Sequence, residues 1–220
     1  MLDDCWPPDS SQLHLARRTN RCTVLGPGVR AVLWVQGCPF RCPGCVAPDT
    51  LPFVGGEVIK VDRLAEELTA LPEIEGVTLS GGEPLSQASA LVRLIDLVRG
   101  VRDLSFMSYT GHTLEQLARR ATSPQRELLR RLDILVDGPY VQSRHTNLIW
   151  RGSDNQRVLL LSSRYRHLAE RLNARGTWLE FEADSDTLMW MGIPPQGFSE
   201  AFTLGMARQG LPLVAPGDIV

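Results

Sequence analysis

Short apolar runs alternate with amphipathic stretches along most of this chain. Strand-like apolar runs occur at 30–36, 76–80, 104–109, 133–137 and 156–161, and an alternating, half-exposed strand pattern occurs at 177–182. Apolar residues recur at helical spacing at 61–71, 91–98, 114–120, 125–132, 165–172 and 198–209. Residues 1–29 and 46–57 are rich in Pro and Gly and predict irregular segments.

Strand and helix patterns alternate at least four times, which is typical of βαβ units and a mostly parallel sheet. In such sheets ligands bind at the carboxyl ends of the strands, in the loops that follow them. Four polar or glycine-rich segments follow predicted strands here: 38–45, 80–84, 109–111 and 137–139. We therefore expect these four loops to share one edge of an α/β fold.

The composition is that of a globular protein. It excludes some classes of function but indicates none. The 220 residues are 43% apolar and 22% charged, with a formal net charge of −2 and no block of like charge. A basic surface for nucleic acid or for a membrane is therefore not expected. The first residues lack the basic and apolar order of a signal peptide, and no apolar run reaches membrane-spanning length. We expect one cytoplasmic domain.

Three of the five cysteines, Cys38, Cys42 and Cys45, lie within eight residues. Three thiolates on one loop could hold an iron–sulfur cluster, and because such a cluster usually takes four cysteines, one iron would stay open for another ligand. The alternatives are a zinc site completed by a distant histidine, and chance. Cys5 and Cys22 are interpreted as ordinary thiols.

Two motifs together resemble the radical S-adenosylmethionine (radical SAM) superfamily. They are CPFRCPGC at 38–45 and SGGEP at 80–84, each after a predicted strand. The resemblance implies one 4Fe–4S cluster on the three cysteines, with SAM at the open iron. It also implies that Gly81, Gly82, Glu83 and Pro84 hold the methionine end of SAM. A valine at Gly82 would then weaken SAM binding and leave iron binding largely intact.

Further segments resemble the glycyl-radical-enzyme activases, in particular the branch that activates anaerobic ribonucleotide reductase. They are VQGC at 35–38, YTG at 109–111, LVDGP at 135–139 and RGSDNQR at 151–157. The resemblance implies an incomplete (β/α)6-type open barrel with mostly parallel strands, and a complete eight-unit barrel would need ~250 residues. It divides the single domain into an irregular lead at 1–25, a radical SAM core at 26–161 and a C-terminal extension at 162–220.

The same resemblance implies that Tyr109 and Asp137 lie at the SAM site, although Asp137 could equally be a turn residue. The reaction it implies is reductive cleavage of SAM to a 5′-deoxyadenosyl radical, which takes a hydrogen atom from a backbone glycine of a partner enzyme. The expected partners are SAM, a reductant such as flavodoxin or ferredoxin, and a glycyl-radical enzyme. No catalytic side chain is expected beyond the cluster and SAM, because hydrogen-atom abstraction needs no acid–base pair.

Two other interpretations stay open at the level of sequence. A radical SAM maturase or biosynthetic enzyme could act on a peptide, a nucleoside or another small metabolite, with the C-terminal extension closing the open side of the barrel. A ferredoxin-like electron carrier or a zinc-binding module would be no enzyme, but an electron carrier should hold its cluster with four cysteines rather than three.

Overall fold

One mixed sheet forms the centre of the computed structural model, which describes residues 9–176, 178–183 and 188–211. Within those residues the sheet has seven strands: β1 (Gln12–Cys22), β2 (Arg30–Val35), β3 (Glu57–Lys60), β4 (Gly76–Gly81), β5 (Ser105–Tyr109), β6 (Ile134–Asp137) and β7 (Arg157–Leu160). Their order across the sheet is β3-β1-β2-β4-β5-β6-β7. The four neighbours β2, β4, β5 and β6 run parallel, and the strands added at both edges run antiparallel.

Helices cover one face of this sheet. They are α1 (Val61–Ala70), α2 (Ala88–Val101), α3 (Leu114–Arg120) and α4 (Ser123–Arg131). The apolar stripe of α2, with Leu91, Leu94 and Val98, packs into a core that also holds Leu33 and Leu79 from the sheet. Capping boxes at Thr113–Gln116 and Thr122–Gln125 begin the third and fourth helices, because each side chain satisfies a backbone N–H that has no helical partner.

The other face of the sheet is covered by the C-terminal part of the chain. There β8 (Leu179–Ala183) and β9 (Leu188–Gly192) form an antiparallel pair, followed by α5 (Phe198–Arg208). Met191 packs with Val32 and Trp34 of β2 and with Cys22 and Leu25. Every residue of β2 is buried, as expected for a strand covered on both faces.

The irregular lead expected at 1–25 is wrong for most of its described length, since 12–22 form the long strand β1. Leu13, Leu15 and Cys22 point into the core, but register shifts between Leu15 and Arg17 and between Thr19 and Cys22 interrupt the pairing with β2. Such irregularities break the two-residue period by which a strand is found in a sequence. Residues 1–8, including Cys5, lie outside the described residues.

Other elements also differ from the expectation. β3 begins at Glu57, the last residue of the segment 46–57 that was expected to be loop, and the helix expected at 165–172 is a 3-10 helix at Arg166–Arg171 with no buried residue. The α/β class with a parallel centre is confirmed. Within the described residues, β2, β4, β5 and β6 are four neighbouring parallel strands at the centre of the sheet. They include no helix that is long and apolar enough to cross a membrane.

Candidate functional site

The four loops that follow β2, β4, β5 and β6 meet at one edge of the sheet, as expected. The backbone N–H of Gly82 donates to the Val35 carbonyl at 2.8 Å, and that of Glu83 donates to the Gly37 carbonyl at 2.9 Å. The Gly111 N–H donates to the Glu83 carboxylate at 2.8 Å, which joins the next loop. The Gly138 N–H donates to the His112 carbonyl at 2.9 Å. The loops thus form one hydrogen-bonded layer.

The cysteine loop is held in place by its own backbone. Gly37 and Cys38 donate their N–H groups to the Thr50 and Leu51 carbonyls at 2.8 and 3.0 Å, so both ends of the loop are tied together. The Cys45 N–H donates to the Cys42 carbonyl at 3.1 Å and closes a tight turn between two of the thiols. Cys38 is buried, whereas Cys42 and Cys45 are partly exposed, and all three thiols are free.

Burial keeps the Cys38 and Cys45 thiols protonated when no metal is bound. Desolvation raises the pKa of Cys38 to about 11, and the negative charge of Glu83 adds to the rise. Desolvation likewise raises the pKa of Cys45. Because only the thiolate binds a metal, binding at this loop must release protons.

The donor set fits a cluster with one open iron. Cys22, the fourth described cysteine, pairs with Arg30 at the opposite end of β2 from the cysteine loop and is fully buried there. No group of three His, Cys, Asp or Glu side chains within the described residues is close enough to hold a single metal ion. A cubane accepts each thiolate at a different iron, so the three sulfur atoms need not converge on one point.

The two glycines of the second loop let it pack closely against its neighbours, Gly81 against the end of β2 and Gly82 against the cysteine loop. A Cβ atom at Gly82 would lie 2.2 Å from the Gly37 carbonyl oxygen, and one at Gly81 would lie 2.6 Å from the Val35 nitrogen. Gly81 also has a φ of +93°, a backbone angle that residues with a side chain rarely adopt. The structure therefore changes the expectation for a valine at Gly82, which would displace the cysteine loop as well as any ligand. Pro84 begins the 3-10 turn that follows.

Glu83 is enclosed between the loops, with only 1% of its surface exposed. Desolvation raises the pKa of its carboxyl to about 7, although hydrogen bonds from the Gly111 and Leu85 N–H groups and from Thr110 oppose the rise. Its two oxygens accept those backbone N–H groups at 2.8 and 2.9 Å. The side chain thus joins the loops after β4 and β5.

Tyr109 and Asp137 differ in what their polar atoms contact. The Tyr109 hydroxyl is buried and has no hydrogen-bond partner within the described residues, and burial raises its pKa. Asp137 accepts the Leu114 N–H at 2.7 Å and the Arg157 Nε at 2.9 Å, and it is 1% exposed. Arg157 also pairs with Glu115. Asp137 therefore anchors the start of α3, whereas Tyr109 presents an unsatisfied donor that a bound molecule could use.

A cavity of about 140 Å³ lies beside the cysteine loop. Its walls include Cys45, Ser80, Gly81, Tyr109, Tyr140 and Trp190. From the sequence, Tyr140 had no expected role, and Trp190 was expected only as part of the C-terminal extension that could close the open side of the barrel. Tyr140 directly follows the predicted loop at 137–139, and that position was the available signal. Trp190 lies far along the chain in a hairpin that has no motif.

A family model described as a 4Fe-4S single cluster domain matches residues 24–159. Over 140 residues the chain is 33% identical to the anaerobic ribonucleoside-triphosphate reductase-activating protein of Enterobacteria phage T4, covering 61% of this chain and 86% of that protein. The chain belongs to this family of 4Fe-4S activating proteins. This member is accordingly a radical SAM enzyme, with a 4Fe–4S cluster and SAM as its cofactors.

Two further similarities extend beyond the reductase activators. This chain is 38% identical over 81 residues to the pyruvate formate-lyase-activating enzyme of Clostridium pasteurianum, and the match covers 34% of each chain. Among solved structures, QueE from Escherichia coli matches with a TM-score of 0.38 and 18% identity, over 46% of this chain and 53% of that chain. The structural match is too distant to add to the assignment.

Proposed function

We propose that this protein activates a glycyl-radical enzyme by removing a hydrogen atom from a backbone glycine of that partner, with anaerobic ribonucleotide reductase as the first candidate. The observation that carries the proposal is the loop of three free cysteines hydrogen-bonded to the SGGEP loop, in a chain that spans most of a reductase activator.

In this proposal Cys38, Cys42 and Cys45 hold the cluster. When bound, the cluster and SAM supply the one-electron chemistry that removes the hydrogen atom. The backbone of Gly81 and Gly82, with Glu83 and Pro84, orients the methionine end of SAM next to the cysteine loop, since the loops are already joined there.

Tyr109 would donate its unsatisfied hydroxyl to SAM. Asp137 would act through the loop that it anchors, because both of its oxygens already accept hydrogen bonds from the protein. The walls of the cavity exclude water from the reacting atoms.

We extend the proposal to the finer architecture. Residues from β1, β2, β4 and β5 line the same cavity, as do residues near β6 and β7, which supports a sheet that curves as an incomplete (β/α)6-type barrel. The core at 26–161 would carry the cofactors and the segment at 162–220 would cover its open side. An electron donor such as flavodoxin or ferredoxin would reduce the cluster, and the reaction would take place in the cytoplasm.

One observation favours a second candidate function. The C-terminal hairpin β8–β9 lies over the inner face of the sheet and contributes Trp190, Met191 and Gly192 to the cavity beside Cys45. This is the side by which a protein segment would enter an open barrel. A maturase or biosynthetic enzyme that acts on a small metabolite would have such a closed site, so the substrate must be tested directly.

The cysteine assignment is tested by single replacements after anaerobic reconstitution. Cys38→Ala, Cys42→Ala and Cys45→Ala are each expected to lose the cluster and to stop forming 5′-deoxyadenosine, because two thiolates cannot hold the cubane. Cys22→Ser is the matched control and should keep its iron and its SAM cleavage, since Cys22 lies at the far end of β2. Cys5→Ser is expected to behave likewise. Loss of the cluster in either serine variant would refute the assignment.

The target is tested by incubating the reconstituted protein with SAM, dithionite and anaerobic ribonucleotide reductase from the same genome. Activation predicts a glycyl-radical doublet in the electron paramagnetic resonance spectrum of the reductase, in addition to 5′-deoxyadenosine. SAM cleavage that yields no protein radical would reject the activase and leave the small-molecule enzyme.

A further inference from the structure

The hairpin β8–β9 lies beyond residue 159, where the family match ends, and yet it is firmly joined to the family core. The Thr19 hydroxyl donates to the Glu182 carboxylate at 2.9 Å, and the Thr23 N–H donates to Glu180 at 2.7 Å. Met191 is 2% exposed and packs against β2. The hairpin is therefore a built part of the fold and not a loose addition.

This hairpin brings an aromatic wall to the cofactor cavity. Trp190 lines it together with Trp34, Tyr109 and Tyr140 of the family core, within reach of the cysteine loop through Cys45. Trp190 packs edge-to-face on Phe198 of α5, with 5.4 Å between the ring centres. Phe198 in turn stacks on Phe202 at 5.3 Å. The indole is thus held in position from behind by α5.

Two other aromatic side chains of the cavity, Trp34 and Tyr140, already have partners for part of their rings, and Tyr109 is assigned to SAM through its hydroxyl. The Arg17 guanidinium lies 5.1 Å from the ring centre of Trp34. The Tyr140 hydroxyl bonds to the Nδ1 atom of His145 at 3.1 Å, and its ring lies against the backbone of Gly152. These contacts occupy part of each ring. They leave Trp190, which is partly exposed and supported by Phe198, as the ring best placed to receive a planar ligand.

We propose that Trp190 stacks on the adenine of SAM, so that the C-terminal hairpin completes the cofactor site that the family core begins. This inference rests on the SAM chemistry of the proposed function and deepens it. The cysteine and SGGEP loops fix the methionine end of SAM at one side of the cavity, and the adenosine must then extend along the remaining wall. Adenine is planar and uncharged, and stacking on an aromatic side chain is the contact that suits it.

The test measures binding to the reconstituted protein without reductant, so that SAM stays intact. Trp190→Ala is expected to weaken SAM and S-adenosylhomocysteine about tenfold or more, the loss typical of one base–aromatic stack. Affinity for methionine should be unchanged, because methionine carries no adenine. Trp190→Phe should restore most of the SAM affinity. Trp178→Ala is the matched control, since that indole is 69% exposed and lies outside this cavity.

Each result decides the assignment. Wild-type SAM affinity in Trp190→Ala would overturn it, and so would an equal loss for methionine, which would indicate a disturbed loop rather than a lost stack. Iron content and thermal unfolding of both Trp190 variants show whether the fold is intact. The proposed activation of a partner is measured by the glycyl radical, so normal SAM binding without that radical would reject the target and not this site.

Discussion

Gly82 lies where the two cofactor loops meet. Its N–H donates to the Val35 carbonyl, and its α-carbon faces the Gly37 carbonyl oxygen so closely that a methyl group would lie 2.2 Å from that oxygen. A clash with backbone is costly, because neither loop can rotate a side chain away. The glycine is therefore required by the contact between loops, whatever its contact with SAM.

Replacing this glycine should consequently affect both cofactors. Gly82→Ala is expected to lower the iron content after reconstitution and to weaken SAM binding together, because the cysteine loop must shift. Gly100→Ala is the matched control, since a Cβ there meets nothing within 4 Å and the residue lies in α2, where alanine adds about 0.5–1 kcal/mol of stability. Normal iron content with weakened SAM binding in Gly82→Ala would show instead that the glycine faces only the ligand.

At the scale of elements, the ends of β4 and β5 are joined by one buried carboxyl group. Glu83 accepts N–H groups from both loops, and burial raises its pKa from 4.5 to about 7. Between pH 4.5 and 7, Glu83 is therefore protonated in the folded chain but ionised in the unfolded chain. The resulting contribution to stability is complete below pH 4.5 and is lost as the pH rises through 7.

The raised pKa of Glu83 predicts that the free energy of unfolding depends on pH, and that the Glu83→Gln substitution removes this dependence. Between pH 4.5 and 7 the Glu83 carboxyl should lower the free energy of unfolding of the metal-free protein by up to about 3 kcal/mol. Glu83→Gln cannot ionise, so urea unfolding of the variant should lack that decline while other groups titrate equally in both proteins. Parallel stability curves for the two proteins would mean that Glu83 keeps an ordinary pKa in the folded state.

The elements that the sequence predicts well are those with an uninterrupted period. The first two helices and the strands β2, β4 and β5 have one face or two faces in a continuous core, so their apolar positions repeat regularly. β1 was not predicted because its pairing with β2 is irregular. In addition, Arg17 and Arg18 form ion pairs with Asp49 and Glu67 instead of facing open solvent. The charged residues of β1 are thus paired by tertiary contacts, whereas the sequence pattern alone would place them in a loop.

The same distinction holds for the site. The cysteines and the SGGEP loop could be predicted because each set is contiguous and follows a strand. The bonds of Asp137 to Leu114 and Arg157, and the approach of Tyr140 to Cys45, join residues that are distant in the sequence. No spacing rule indicates such pairs. Trp190 is the extreme case, since its hairpin lines the cavity but follows the whole core in the sequence.

At the scale of the whole molecule, the two faces of the sheet differ in what covers them: one forms the main core and the other carries the cavity. One face is covered by α1 to α4 and forms the main core. The other face carries the cavity, and its cover comes from the hairpin and from the segment that contains Tyr140 and Gly152. A protein substrate must approach the cysteines from this second face, because the helices close the first.

That asymmetry predicts where a partner enzyme binds. Amide hydrogen exchange of the SAM-bound protein should slow at β9 and at the turn Gln142–Arg144 when a glycyl-radical enzyme is added, because β9 lines the cavity and Gln142 lies against Gly44 of the cysteine loop. Addition of the partner should not change the exchange rates in α1 and α2, and these helices therefore serve as an internal control in the same measurement. Protection confined to those helices would place the partner on the wrong face for hydrogen-atom transfer, and the proposed activation could not then proceed through this cavity.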